Sequence, residues 1–193
     1  AGVVGGITRR AAEAYGAVAG HKLFIWDNYP VNDNTPTMHL GPLVNRDPDL
    51  CRAAEGYMSN SMCSQNEANR LPMLTCAEYA YNPAAYDPEE AIGQALLLCA
   101  GSRARAECLR RLVEAYPGFL LYAPPSTSTN PVRDRFVKLV ALPQGRSAAE
   151  AYADAMGKLL RDLRRLFPGR YRAEGRTLAA DVAFMRGALA AEP

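Results

Sequence analysis

Residues 23–33 read Leu-Phe-Ile-Trp-Asp-Asn-Tyr-Pro-Val-Asn-Asp, and this stretch decides which fold we expect. Its first three residues are apolar without alternation, a pattern typical of a strand buried on both faces. Pro30 lacks the N–H that continues a ladder, so we expect the strand to stop near Asp27. Aromatic, amide and carboxylate groups then crowd the following loop. Because (β/α)8 barrels place their active sites after such strands, the pattern predicts a binding site. The alternative is an ordinary strand with a capped turn.

The composition is that of a globular protein, with 49% hydrophobic and 22% charged residues among 193. A net charge of +2 gives no reason to expect a nucleic acid or an anionic membrane as partner. The longest apolar run is far short of the roughly 18 residues that a membrane helix needs. The chain starts without Met or a signal peptide, in what reads as mid-domain sequence. We therefore expect a fragment, and the sequence does not indicate a compartment.

Neither a metal nor a cofactor is predicted. The cysteines are odd in number and show no CxxC or Cys/His spacing, so zinc and a disulfide framework are not expected, and the thiols are interpreted as small buried hydrophobes. These residues are Cys51, Cys63, Cys76, Cys99 and Cys108. His21 and His39, the two histidines, have no neighbouring Ser or Cys pattern that would indicate a catalytic triad.

The first sixty residues read as one helix–strand step of an α/β fold. Thr8 can cap a helix that runs to Ala19 and ends at Gly20. A complete (β/α)8 barrel takes about 250 residues, so most of such a barrel would be absent here. The run Asp-Pro-Asp at 47–49 predicts another helix start, and residues 56–60 read as a brief connector.

The remainder reads as helices. One is expected from about Gln65 to Tyr81, where Pro72 either lies in an irregular first half or kinks the helix. Asp87-Pro88 starts the next, and each later helix has an apolar stripe at helical spacing. The stripes are Ile92, Leu96, Cys99; Leu109, Leu112, Val113, Tyr116; Val132, Phe136, Leu139, Val140; Tyr152, Met156, Leu159, Leu163; and Leu178, Val182, Met185, Leu189.

These patterns predict a mainly α fold, in which the last αβ segment of a (β/α)8 barrel is followed by an α-helical bundle. The predicted domains are residues 1–60, the barrel remnant, and 61–193, the bundle. Residues 117–131, rich in Pro, Ser and Thr, are the clearest linker.

The polar loop and the segment after it resemble the family 84 glycoside hydrolases, β-N-acetylglucosaminidases that include bacterial O-GlcNAc hydrolases and enzymes called hyaluronidases. The resemblance is collinear over about the first half of the chain, with Ser61 where a proline is expected. It is carried by Trp-Asp-Asn-Tyr-Pro-Val-Asn-Asp at 26–33, His-Leu-Gly-Pro-Leu at 39–43, Arg-Asp at 46–47, Gly-Tyr-Met-Ser-Asn at 56–60, Glu-Tyr at 78–79, Asn-Pro at 82–83 and Tyr-Asp-Pro at 86–88.

The resemblance implies a retaining exo-hydrolase that works by substrate assistance on terminal β-linked N-acetylglucosamine of a glycan or glycoprotein. The 2-acetamido oxygen would attack its own anomeric carbon to give an oxazoline, an exception to the enzymic nucleophile of most retaining glycosidases. The family's proton-transfer groups are an adjacent Asp-Asp pair on an earlier strand. The one adjacent acid pair here, Glu89-Glu90, begins a helix and is better explained by the helix dipole. We therefore expect no catalytic residue in this chain, which alone would be inactive without the N-terminal barrel portion of the same protein.

The resemblance also implies which residues bind the sugar. Trp26 matches a position that lines the acetamide pocket, while Asn28, Asp33 and Asn60 match positions that hydrogen-bond the sugar. The alternative for Asn28, Asp33 and Asn60 is a turn-forming Asx bond. Asp27, Tyr29 and Asn32 are interpreted as residues that support the loop.

A different reading of the whole chain is a non-catalytic helical interaction module with a vestigial barrel segment. A start codon directly before Ala1 would favour this module, whereas an upstream Asp-Asp pair after an apolar strand would favour the enzyme.

Overall fold

The computed structural model describes residues 5–33, 37–119 and 130–191. Within these ranges it contains seven α-helices and a two-stranded parallel sheet, which confirms the predicted mainly α fold. In chain order the elements are α1 (Arg9–Ala19), β1 (Phe24–Pro30), β2 (Gly56–Asn60), α2 (Arg70–Tyr81), α3 (Pro88–Ala100), α4 (Arg103–Ala115), α5 (Pro131–Val140), α6 (Arg146–Leu166) and α7 (Arg172–Ala191).

The helix starts follow local chemistry. Thr8 Oγ1 accepts from Ala11 N at 3.1 Å at the start of α1, and Gly20 ends that helix with a left-handed φ of 65°. Asp87 Oδ1 accepts from Glu90 N at 2.8 Å at the start of α3. The predicted apolar stripes face the core, in which most of their residues are fully buried.

The sheet departs from the prediction at residues 56–60, which form strand β2 rather than a connector. β1 and β2 run parallel, with Phe24 opposite Gly56 and Asp27 opposite Ser59, and the register shifts before Pro30 pairs with Asn60. The regular ladder therefore stops at Asp27, as the proline predicts. The connector reading was wrong because a five-residue strand with Gly, Ser and Asn gives no hydrophobic run.

The prediction that the first strand is buried on both faces is also wrong for the described residues. Phe24 is 65% exposed and Trp26 is 62% exposed, whereas Asp27 and Tyr29 are buried. β1 pairs with β2 along one edge, and its other edge borders an open groove beside α1. The apolar run predicted a buried strand, but the described residues do not cover the side chains of Phe24 and Trp26.

Two of the predicted helices differ from the prediction, one in its type and length and the other in its first residue. The Asp-Pro-Asp run leads to a 3₁₀ turn over Leu50–Arg52 and not to an α-helix. α2 begins at Arg70 instead of near Gln65. Pro72 lies in its first turn, where a missing N–H removes no intrahelical bond, so it does not interrupt the helix.

The predicted linker 117–131 lies mostly outside the described residues, but both of its ends are tied to one carboxylate. Asp181 of α7, which is buried, accepts from Tyr116 Oη at 2.7 Å and from Asn130 Nδ2 at 2.8 Å. Arg133 Nε donates to the same carboxylate at 2.6 Å. Asp181 thus joins the ends of the segment that connects α4 to α5.

Part of the segment between the strands packs into the core of the helices, while a smaller second cluster beside the sheet contains Tyr29, Leu43, Cys76 and Tyr79. Met38 and Leu40 pack in the same cluster as the helical stripes, and Leu40 N donates to Tyr116 O at 3.0 Å. Glu174, buried in the first turn of α7, accepts from Ala68 N at 3.0 Å. The division into 1–60 and 61–193 stays a prediction.

The cysteines differ from their predicted burial. Cys76, Cys99 and Cys108 are buried, but Cys51 and Cys63 are exposed, since both lie in turns at the surface. No described helix is both long and apolar enough to cross a bilayer.

Candidate functional site

Three of the four predicted sugar-binding residues meet where the two parallel strands end. Asn28 Oδ1 accepts hydrogen bonds from Trp26 Nε1 at 3.1 Å and from Asn60 Nδ2 at 3.2 Å. Parallel strands bring their carboxyl ends to the same edge of a sheet, so β1 supplies Trp26 and Asn28 while β2 supplies Asn60. Asn28 and Asn60 are half-buried, and the exposed indole offers a flat apolar surface beside two amides.

Asp33 lies three residues beyond the end of β1 and is exposed. It therefore sits on the loop that leaves the strand end bearing Asn28. Residues 34–36 of this loop are outside the described ranges. An exposed carboxylate at this place can accept more than one hydroxyl donor.

Asp27 is buried next to the site residues, and its carboxylate bonds other groups of the protein. Arg46 Nε donates to Asp27 Oδ2 at 2.7 Å, and Arg46 Nη2 and Tyr57 Oη also bond the carboxylate. Burial and the adjacent negative charge of Asp27 raise the pKa of Tyr57 well above its usual range, so the phenol remains a proton donor. The carboxylate of Asp27 is occupied by these partners and is held under the strand rather than presented to a ligand.

Tyr29 and Asn32 also point inward, as expected for residues that support the loop. Tyr29 Oη donates to Gly41 O at 2.6 Å, and desolvation raises the pKa of this fully buried phenol. Asn32 Nδ2 donates to Thr37 O at 2.9 Å.

A cluster of tyrosines holds the segment that connects the two strands. Tyr79 Oη donates to Asp47 O at 2.7 Å, and Tyr86 Oη donates to Leu43 O at 2.7 Å. The rings of Tyr57, Tyr79 and Tyr86 follow one another edge to face, with centroids 5.5 and 5.6 Å apart. The sequence motifs that contain Asp47, Tyr57, Tyr79 and Tyr86 therefore contact one another in the folded chain.

A groove of about 350 Å³ runs between α1 and β1, next to the site. Trp26, Asn28 and Arg46 line it, together with Tyr15 of α1 and Phe24 of β1. Its walls are largely apolar and include the exposed rings of Tyr15 and Phe24. Within the described ranges no group of three or more His, Cys, Asp or Glu side chains is placed to hold a metal ion.

Sequence reasoning missed the roles of Arg46, Tyr57 and Gln65. Arg46 and Tyr57 belong to the quoted motifs, but nothing in their spacing indicated that both would bond Asp27. Gln65, which bonds Asn32 at 2.9 Å, lies in a turn without periodicity. No sequence signal would have identified it.

Comparison with known proteins identifies the family of this chain. The family model described as beta-N-acetylglucosaminidase matches residues 1–114. The chain belongs to this family. The resemblance to glycoside hydrolase family 84 is thereby confirmed, and the match covers the sheet, the site and the helices up to the last residue but one of α4.

Two solved structures share the fold of this chain. A mutant of the Thermobaculum terrenum O-GlcNAc hydrolase matches with a TM-score of 0.74 and 22% identity, over 97% of this chain and 42% of that one. CpGH84B matches with a TM-score of 0.69 and 20% identity, over 95% of this chain and 33% of that one. The family 84 chain described here therefore spans less than half the length of either structure.

Proposed function

We propose that this chain forms the sugar-holding part of a retaining exo-β-N-acetylglucosaminidase, which hydrolyses terminal β-linked N-acetylglucosamine by substrate assistance. The observation that carries the proposal is the junction at Asn28, whose Oδ1 accepts from both Trp26 and Asn60 at the strand ends. Membership in the β-N-acetylglucosaminidase family gives the sugar class.

The residue types suit an N-acetylated sugar. The exposed indole of Trp26 would pack against the acetamide methyl, because an aromatic face is an apolar surface of matching size. The amides of Asn28 and Asn60 would donate to and accept from ring substituents, and Asp33 would accept hydroxyl protons. The acetamide oxygen, held against the anomeric carbon, would then act as the nucleophile.

The proton-transfer acids would come from elsewhere in the enzyme. The single adjacent acidic pair of the sequence is Glu89-Glu90, and both side chains are exposed in the first turn of α3. The N–H of Glu90 is engaged by the Asp87 cap, so this pair has a structural explanation. We infer that residues 1–60 are the end of a barrel and that residues 61–193 are a bundle behind it.

The partner that fits the open edge of β1 is the preceding part of the same barrel. Phe24 and Tyr15 expose 65% and 67% of their surface along the groove beside this edge. A parallel apolar strand placed there would cover both rings and extend the sheet.

Fluorescence titration of the purified chain tests the proposal, because Trp26 is its one tryptophan. N-acetylglucosamine should change the emission, whereas glucose, which lacks the acetamido group, should not. Asn28→Ala and Asn60→Ala should weaken the response, and Val18→Ala, which alters an exposed residue of α1, should not.

An emission unchanged by N-acetylglucosamine up to high millimolar concentration, in a chain with intact circular dichroism, would count against the proposal. It would favour the non-catalytic helical interaction module.

A further inference from the structure

A buried amide joins the two loops that leave the sheet. Asn32 is 7% exposed, and its Nδ2 donates to Gln65 Oε1 at 2.9 Å as well as to Thr37 O. Its Oδ1 accepts from Cys63 N at 3.0 Å. Both donor positions and the acceptor of this side chain are therefore used, which fixes its orientation.

These contacts connect two residues that we assign to the sugar. Asn32 directly precedes Asp33 on the loop after β1, and Cys63 follows Asn60 by three residues on the loop after β2. Gln65 is also buried, and Ser64 Oγ donates to its Oε1 at 3.0 Å. The two loops are thus bound to each other through side-chain amides rather than through the strand ladder, which ends at Asn60.

We propose that Asn32 and Gln65 are positioning residues, which set the separation between Asp33 and Asn60 and thereby the affinity for the sugar. The inference rests on the proposed function of Asp33 and Asn60. A pyranose ring presents its hydroxyls at fixed spacing, so Asp33 on one loop and Asn60 at the end of β2 bind it together only if their separation is kept. Asn32 and Gln65 do this without contacting the sugar.

Two substitutions remove the contact from opposite sides. Asn32→Ala deletes all three hydrogen bonds, and Gln65→Leu removes the acceptor while it keeps the volume. Each should weaken N-acetylglucosamine binding by about tenfold in the Trp26 titration, since small misplacements of binding groups carry costs of this order or more. The double variant should lose no more than Asn32→Ala alone, because both changes act through one contact.

A conservative variant separates positioning from general damage. Gln65→Glu keeps the length of the side chain and an oxygen in place of Oε1, which can still accept from Asn32 Nδ2 and Ser64 Oγ. It should recover most of the affinity. Asn130→Ala is the control for lost stability, because this remote amide also makes three hydrogen bonds. It should lower the melting temperature and leave sugar affinity unchanged.

A second measurement does not depend on the sugar. Nitrogen-15 relaxation of the Asp33 and Asn60 amides should show ordered loops in the wild-type chain and increased motion of both amides in Asn32→Ala. Wild-type binding with unchanged affinity in Asn32→Ala overturns the inference, and so does unchanged relaxation. A wild-type chain that binds no sugar overturns the proposed function instead, and the relaxation data then decide whether the amides position the loops.

Discussion

Arg46 binds Asp27 through two guanidinium nitrogens, and the two side chains are only 3% and 1% exposed. Arg46 also donates to Gly5 O at 2.8 Å and to Val44 O at 2.9 Å. The guanidinium therefore joins β1 to the segment before α1 and to the segment between the strands. Because Tyr57 also bonds the carboxylate, Asp27 is fully enclosed by polar partners directly below the site.

Loss of this arginine should destabilise the fold strongly. Arg46→Met leaves the Asp27 carboxylate buried without its counter-charge, which typically costs about 3–5 kcal/mol. Denaturant unfolding measures the loss. Arg9→Met is the matched control, since the Arg9–Asp49 pair is 35% and 42% exposed and solvent screening should make its contribution far smaller. Equal losses for the two variants would contradict the structural role of the buried pair.

The sequence predicted the helical half well because amphipathic periodicity and capping residues are local signals. Thr8 and Asp87 cap the helices that they were expected to start. Its failures concern the tertiary environment. The apolar run at residues 23–25 predicted burial but could not reveal which neighbours would cover Phe24, which is exposed. The strand β2 was missed because it carries too few apolar residues to stand out. At the site, the resemblance to family 84 implied Trp26, Asn28 and Asn60, but only the structure shows that Asn28 bonds the other two.

Asp33 should act in catalysis rather than in folding. In a polypeptide that includes the rest of the barrel, Asp33→Asn keeps the shape but removes the charge, and hydrogen bonds to charged groups are worth about 1.5–3 kcal/mol. Loss of one such hydrogen bond predicts that kcat/KM falls at least about tenfold, while the melting temperature stays unchanged. Asp27→Asn should instead act mainly through stability. Normal turnover in the Asp33 variant would remove this residue from the site.

The strand edge should be the less protected part of the isolated chain. Among the residues that the structure describes, β1 pairs with another strand along one edge only, whereas the stripe of α6 packs in or against the large core. Amide hydrogen exchange should therefore be faster for residues 23–25 than for residues 152–163. Equal protection of the two segments from exchange would show that the open edge does not lower the local stability of β1.

His39 should make stability depend on pH. It is buried with its ring edge to face with Phe119, and desolvation lowers its pKa from 6.5 to about 4. No described residue bonds either ring nitrogen. A folded-state pKa below the unfolded value favours the neutral form, so this contribution is fully present above pH 6.5 and is lost as the pH falls towards 4.

Unfolding free energies between pH 7 and pH 4.5 test this contribution. His39→Phe should flatten the acid side of the profile relative to the wild type. His21→Gln is the control, because His21 is exposed and should leave the profile unchanged. An identical profile for His39→Phe would mean that other groups cause the acid sensitivity.

The isolated chain should not hydrolyse an aryl β-N-acetylglucosaminide. General acid–base catalysis alone contributes about 10²–10⁴-fold, and the Glu89-Glu90 pair lies exposed in the first turn of α3, where the helix dipole explains it. A colorimetric assay of purified chain, beside a complete family member, measures this directly. Turnover comparable with that of the complete enzyme would overturn the assignment of the acids to another part of the protein.

The carboxylate that joins Tyr116 to Asn130 makes the intervening stretch a natural insertion point. Asp181 bonds Tyr116 at the end of α4 and Asn130 at the start of α5, so this carboxylate itself holds the two helix ends close together. The entropy of closing a loop grows only slowly with its length, by about 0.6 kcal/mol per doubling. An epitope, a fluorescent label or a whole guest domain could therefore be accommodated between residues 120 and 129 at little cost to the helices.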